Sequence, residues 1–226
     1  MRKQFWERSV YFVILAGCGV FILLTFIAML FYPGGSYSDP ATTGYSFFEN
    51  FFSELGLART HLGGPKIVSL VLFVSAMVLV GIGLILFFIA FPRRFRRTRT
   101  GRLLGMIGSA FGFLSALAFI AVAVFPADVN LPAHTTAVMW AFRLFPAAVM
   151  CYIIVVFTER GMCSPWGWAL VAFLLLLVVY LLLLERGPGI GEYAGMVIQA
   201  VGQKIIVYAS IFSVMLQSWG ALRARE

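Results

Sequence analysis

Residues 66–91, KIVSLVLFVSAMVLVGIGLILFFIAF, decide the fold. The run opens on Lys66, contains no acid and is closed by Pro92. At about 1.5 Å per residue a helix of this length crosses a hydrocarbon core about 30 Å thick. Five more runs of the same kind lie on either side. Working outward, spans are expected at about 10–32, 66–91, 103–125, 132–157, 166–184 and 195–219. Pro126 ends the third, Asn130 and Pro132 open the fourth, Ser164-Pro165 opens the fifth, and Gly187-Pro188-Gly189 separates the last two.

The composition agrees with this count. The chain has 226 residues, 62% hydrophobic and 12% charged, about half the charged share of a soluble domain. The expected architecture is an all-α, polytopic bundle of six transmembrane helices forming a single domain, 1–226. The N-terminal run continues to Tyr32, which is long enough to span and makes it an uncleaved helix, not a removable leader. Cys18, Cys151 and Cys163 are widely spaced, and no disulfide is expected.

The net charge of +8 raises nucleic acid as a partner, but the basic residues sit between apolar runs, so no nucleic-acid binding is expected. Their distribution sets orientation instead. With the N-terminus cytoplasmic, the inner segments carry Arg2, Lys3, Arg8, Arg93, Arg94, Arg96, Arg97, Arg99, Arg102, Arg160, Arg223 and Arg225, against Arg59, Lys66 and Arg186 outside. This asymmetry places both termini in the cytoplasm. The Arg93–Arg102 run would also attract anionic headgroups. On the third span Gly101, Gly105, Gly108 and Gly112, continued by Ser115 and Ala116, leave one face nearly bare, so a neighbouring helix can approach closely.

Outside the spans, Tyr45-Ser46-Phe47-Phe48-Glu49-Asn50-Phe51-Phe52-Ser53-Glu54-Leu55-Gly56 is the sizeable polar pattern. Phe47, Phe48, Phe51, Phe52 and Leu55 recur at helical spacing, with Glu49, Asn50, Ser53 and Glu54 opposite. Ser46 and Glu49 read as a capping box and Gly56 as the stop. The expectation is a short amphipathic helix at about 46–55 in the first outer loop, resting on or folded into the membrane surface.

Ionisable groups inside spans are costly and become functional candidates. Arg143 and Lys204 each lie about a dozen residues into a span, and neither span carries an acid. Gln199, Gln203 and Tyr208 extend Lys204 into a polar stripe. Pro146 frees the Phe142 carbonyl beside Arg143. The nearest acids, Asp39, Glu49, Glu54, Asp128, Glu185 and Glu192, all fall outside the membrane. An outward-facing pocket lined by Arg143, Gln199, Gln203 and Lys204, with Glu49 and Tyr208 beside it and the 46–55 helix as a partial roof, is therefore expected to bind a ligand. The competing reading has both cations snorkelling to water.

Ser53, Glu54, His61, Asp128 and His134 share that side of the membrane. They suit a hydrolase in which His134 is the general base, a carboxylate orients it, and Ser53 or water attacks. A zinc site from both histidines and two acids is the alternative. Neither histidine belongs to an HxxxH or HExxH pair and no serine lies in G-x-S-x-G, so no metal and no cofactor is expected.

Two of these stretches, Phe51-Phe52-Ser53-Glu54-Leu55-Gly56 and Phe125-Pro126-Ala127-Asp128 with His134, resemble the bacterial and archaeal six-span proteins grouped as DUF998. That group carries a similar S-[DE]-L-G after the first span and P-x-D…H between the third and fourth. A looser similarity extends to Frag1/DRAM/Sfk1-type proteins, which are linked to lipid handling. The resemblance implies the six-span fold, a prokaryotic cytoplasmic membrane and importance for Ser53, Glu54, Asp128 and His134. Three functions stay open. The chain binds an amphiphile or anionic lipid headgroup for sensing or transport, acts on a lipid through Glu54 and His134, or serves as a non-catalytic subunit. Membrane lipids are the expected partners, with a second copy or another membrane protein as further possibilities.

Overall fold

The computed structural model describes residues 2–160 and 164–223. Cys163, Arg225 and Glu226 lie outside the described residues. Six long helices account for most of the chain: α1 (Arg2–Leu30), α2 (Ile67–Ala90), α3 (Arg99–Val124), α4 (Leu131–Arg160), α5 (Pro165–Arg186) and α6 (Tyr193–Arg223). All six are long and apolar enough to cross a membrane. Each packs against its neighbours in chain order, and α1 lies beside α6, so the bundle closes on itself. Large side chains such as Phe12, Phe26, Ile67, Val179 and Phe212 point outward and stay more than half exposed, as a lipid-facing surface requires.

Lipid tails are as apolar as leucine, so packing and hydrogen bonds must hold such helices together. The expected face of α3 provides both. Gly101, Gly105, Gly108, Gly112, Ser115 and Ala116 are all buried. Gly108 lies against Cys151 and Tyr152 of α4, and Gly112 lies under the Phe88 ring of α2. Ser115 Oγ donates to the Ala141 carbonyl at 2.8 Å, and Ser109 Oγ to the Phe88 carbonyl at 2.6 Å. The helix α4 continues through Pro146.

The segment between α1 and α2 departs from expectation. The 46–55 helix is absent as such: residues 47–50 form a turn, and a 3₁₀ helix covers only Phe52–Gly56. The cause is Asn50. Its fully buried amide accepts from Ser46 N–H at 2.9 Å and donates to the Gly35 carbonyl at 2.7 Å and to Glu54 Oε2. A residue counted on the polar face of a surface helix is thus the hub of a folded loop. The Ser46–Glu49 box does not form either, and Glu49 accepts from Tyr193 Oη on α6 at 2.7 Å.

The apolar pattern splits accordingly. Phe52 and Leu55 are buried, whereas Phe47 and Phe48 are exposed. The Phe52 ring inserts among Phe21 of α1, Phe73 of α2 and Tyr208 of α6. At Gly56 a side chain would collide with Phe73, so glycine is required there for close approach. The loop therefore plugs one end of the bundle from within and does not lie on its surface.

Candidate functional site

A 3₁₀ helix this short leaves its own carbonyls short of partners, and two buried lysines supply donors, Lys66 to the helix and Lys204 to the turn that enters it. Lys66 Nζ donates to the carbonyls of Glu54 and, at 3.0 Å, Leu55, where Ser69 Oγ also donates at 3.1 Å. It lies 4.6 Å from the centre of the Tyr32 ring. Burial pushes Lys66 down to about 7, against the pull of Glu54 and Asp128. Lys204, with no exposed surface, donates to the Asn50 carbonyl and, at 3.1 Å, to that of Ala200 one turn earlier on α6. Both ammonium groups are held by carbonyl oxygens and aromatic faces, not by carboxylates.

Lys204 is thus a latch between α6 and the loop, outside the walls of the two cavities described below. Arg143 is outside them as well. It faces α5, where its guanidinium pairs with Glu185 at 2.9 Å, and the two side chains stay 46% and 33% exposed. The expected pairing of two interior cations over one ligand is corrected on both counts: Lys204 is covered by the loop, and Arg143 reaches an acid at the end of the adjacent helix. Tyr208 is occupied by Thr25 Oγ at 3.2 Å and by Phe52. Glu49 is occupied by Tyr193.

The remaining candidates do meet. A chamber of about 540 Å³ at the loop end of the bundle is lined by the polar side chains of Ser53, Glu54, Asp128, His134, Gln199 and Gln203, joined by Tyr37, Arg59 and His61, and by apolar ones such as Leu57, Leu131, Met139 and Ile190. Adjoining it is a small apolar pocket of about 50 Å³, the shaft, among Phe21, Phe73, Met77, Val80, Phe119 and Val207. Ser53, Val138 and Gln203 line both spaces.

Several polar groups in the chamber are positioned by identifiable contacts. Asp128 takes the backbone N–H groups of Ala58 and Arg59, at 3.0 and 2.9 Å, on its two oxygens, which ties the α3–α4 turn to the loop. Glu54, nearly fully buried, accepts from Asn50 and meets His61 Nε2 at 3.2 Å. Burial raises Glu54 above the ordinary carboxylate range, opposed by the Asn50 hydrogen bond and His61. The carboxylate–histidine pair in this structure is therefore Glu54–His61. His134 instead donates from Nδ1 to the Phe125 carbonyl at 2.8 Å, an acceptor alone. Its neutral ring consequently carries the lone pair on Nε2.

Gln203 Oε1 accepts from the Ser53 N–H at 3.3 Å, and Gln199 donates to the Leu183 carbonyl at 2.9 Å. No cluster of three or more histidine, cysteine or acidic side chains suited to a metal occurs among the described residues. Sequence reasoning passed over three residues: Asn50, placed on the polar face of the expected helix, and Lys66 and Arg59, both counted for orientation. Of these, Lys66 had a signal, since it stands at the head of the 66–91 run with no polar neighbour in the following two positions.

Six helices long and apolar enough to cross a membrane define an integral membrane protein of the polytopic helical class. The family model described as "Protein of unknown function (DUF998)" matches residues 15–209, most of the chain, and the protein belongs to that family. No curated protein and no solved structure matches it.

Proposed function

We propose that the cavity holds an amphiphile, its headgroup in the chamber and the first methylenes of its apolar chain in the shaft, whose volume of about 50 Å³ takes only a few of them. The observation that carries this reading is that Ser53, Val138 and Gln203 line both the chamber, with its charged and hydrogen-bonding side chains, and the adjoining apolar shaft. Such a two-part space matches a molecule with one wet end and one greasy end, because each end then keeps the solvation it prefers. Arg59 supports a phosphate-bearing headgroup. Its exposed guanidinium lines the chamber and makes no ion pair with a described acid, so a bidentate phosphate contact is open to it. This role replaces the one first given to Arg143 and Lys204.

Membrane phospholipid is the natural occupant. The excess of lysine and arginine at the opposite end supports a chamber facing away from the cytoplasm of a prokaryotic cell. Sensing and transport both fit a bound lipid that exchanges with the membrane.

The test is native mass spectrometry of protein purified from membranes. Wild type is expected to carry phospholipid. Val207→Trp, which fills the shaft, is expected to lose it, and Arg59→Ala to weaken it by about tenfold, the worth of one charge-assisted contact of about 1.4 kcal/mol. Arg143→Leu is expected to leave it unchanged. Equal lipid retention in Val207→Trp and wild type, in folded protein, would sink the proposal.

A further inference from the structure

We infer that the junction of chamber and shaft is an ester-cleaving site for a glycerophospholipid, with Ser53 as nucleophile, His134 as base and the Gln203 amide as oxyanion donor. The inference rests on the binding mode proposed above. A lipid whose chain enters the shaft puts the carboxylic ester, the first polar group above its chain, at the level where the two spaces meet. Two side chains there, Ser53 and Gln203, carry free groups, and His134 stands in the chamber wall nearby. Ser53 lines both spaces, and its Oγ has no hydrogen-bond partner among the described residues; the residue is bonded through its N–H alone. Gln203 also lines both spaces, and with Oε1 committed to that N–H its Nε2 donors are free.

His134 lines the chamber one helical turn before Val138, which lies at the junction. Its Nδ1–H is fixed on the Phe125 carbonyl, leaving Nε2 as an acceptor without a protein partner. A histidine held this way is oriented as a general base. The wall is tied in place, because Lys66 and Gln203 bond to the 3₁₀ helix bearing Ser53 and Lys204 bonds to Asn50 just before it.

The chemistry balances with water as the only co-reactant. Ser53 Oγ bonds to the acyl carbon as its proton passes to His134 Nε2, and the oxyanion accepts from Gln203 Nε2. The ester C–O bond then breaks, and the departing glycerol oxygen takes the proton from His134. Water next attacks the acyl-serine with His134 again as base, releasing a fatty acid and restoring the serine hydroxyl. The buried Glu54–His61 pair lies across the same chamber and takes no part in these steps.

The experiment incubates full-length protein in nanodiscs of phosphatidylethanolamine and phosphatidylglycerol. It reads released fatty acid by mass spectrometry, labelling by a fluorophosphonate probe with peptide mapping, and retained lipid by native mass spectrometry. Wild type is expected to release fatty acid and to be labelled at Ser53. Ser53→Ala is expected to lose label and turnover while still carrying lipid. His134→Ala is expected to fall by at least about a hundredfold and to recover partly with added imidazole, which a purely structural histidine would not do. Lipid bound by wild type with neither fatty-acid release nor label on Ser53 overturns the inference and leaves the binding proposal standing. Turnover preserved in Ser53→Ala or His134→Ala also overturns it. Absence of bound lipid overturns both.

Discussion

Two cations of similar depth in sequence meet opposite fates, and the difference is measurable. Lys204 is enclosed and donates to two carbonyls, so Lys204→Met leaves the buried Asn50 carbonyl with only the long contact from Tyr45 Oη at 3.4 Å. A loss on the order of 1–3 kcal/mol is expected, read as a clear drop in melting temperature in detergent. Arg143 sits in an exposed pair with Glu185. Such pairs contribute at most about 1 kcal/mol, so Arg143→Leu should melt close to wild type. If the two variants lost equal stability, Lys204 would not be the latch that the geometry makes it.

Lys66 makes the stability depend on pH. Its folded value is about 7, below the ordinary 10.5, so between these limits the unfolded chain holds more protons at this site. Stability therefore rises with pH across that window. Glu54 is raised and works the other way, its contribution falling as pH climbs from 4.5 through its folded value. Lys66→Met separates the two. The melting temperature of wild type minus that of Lys66→Met is expected to grow from pH 7 towards pH 10, and a flat difference would contradict a buried lysine of depressed basicity.

At the scale of elements, the bundle depends on close approach along α3. A side chain at Gly112 would enter the Phe88 ring of α2, and one at Gly108 would meet Cys151 of α4. Gly112→Val is expected to cost about 1–3 kcal/mol through overpacking. The same change at Gly83 of α2, where a Cβ meets nothing, should cost well under 1 kcal/mol. Thermal unfolding of the two variants side by side checks the asymmetry. This face was legible from its spacing alone, because small residues three and four apart fall on one side of a helix whatever surrounds it. The loop was not legible in the same way. Helical spacing at 46–55 was real, yet Asn50 at the centre of that stretch bonds its own surroundings, and polar side chains that capture nearby backbone groups compete with helix formation.

At the scale of the molecule, the loop between α1 and α2 gives the bundle a polar interior at one end. Without it, six apolar helices would close on each other. With it, Phe52 inserts between α1, α2 and α6, while Ser53 and Glu54 on the same 3₁₀ helix face the chamber. Asp128 fixes the α3–α4 turn to this loop through two backbone N–H groups, so Asp128→Ala is expected to loosen the chamber. Faster hydrogen exchange at Ala58 and Arg59 would show it, and unchanged exchange at both would contradict it.

The sequence by itself determined the class of fold, the number of helices and the small-residue face of α3, because hydrocarbon imposes length and apolarity one segment at a time, with no reference to neighbours. It also brought Ser53, Glu54, Asp128 and His134 to notice, through resemblance and a shared side of the membrane. Only the tertiary structure decided which charges meet. That Lys204 holds a carbonyl, that Arg143 turns to Glu185, and that Glu54 finds His61 depend on the rotation of each helix and the path of one loop. Those are fixed by packing between segments distant in the chain, which no local pattern encodes.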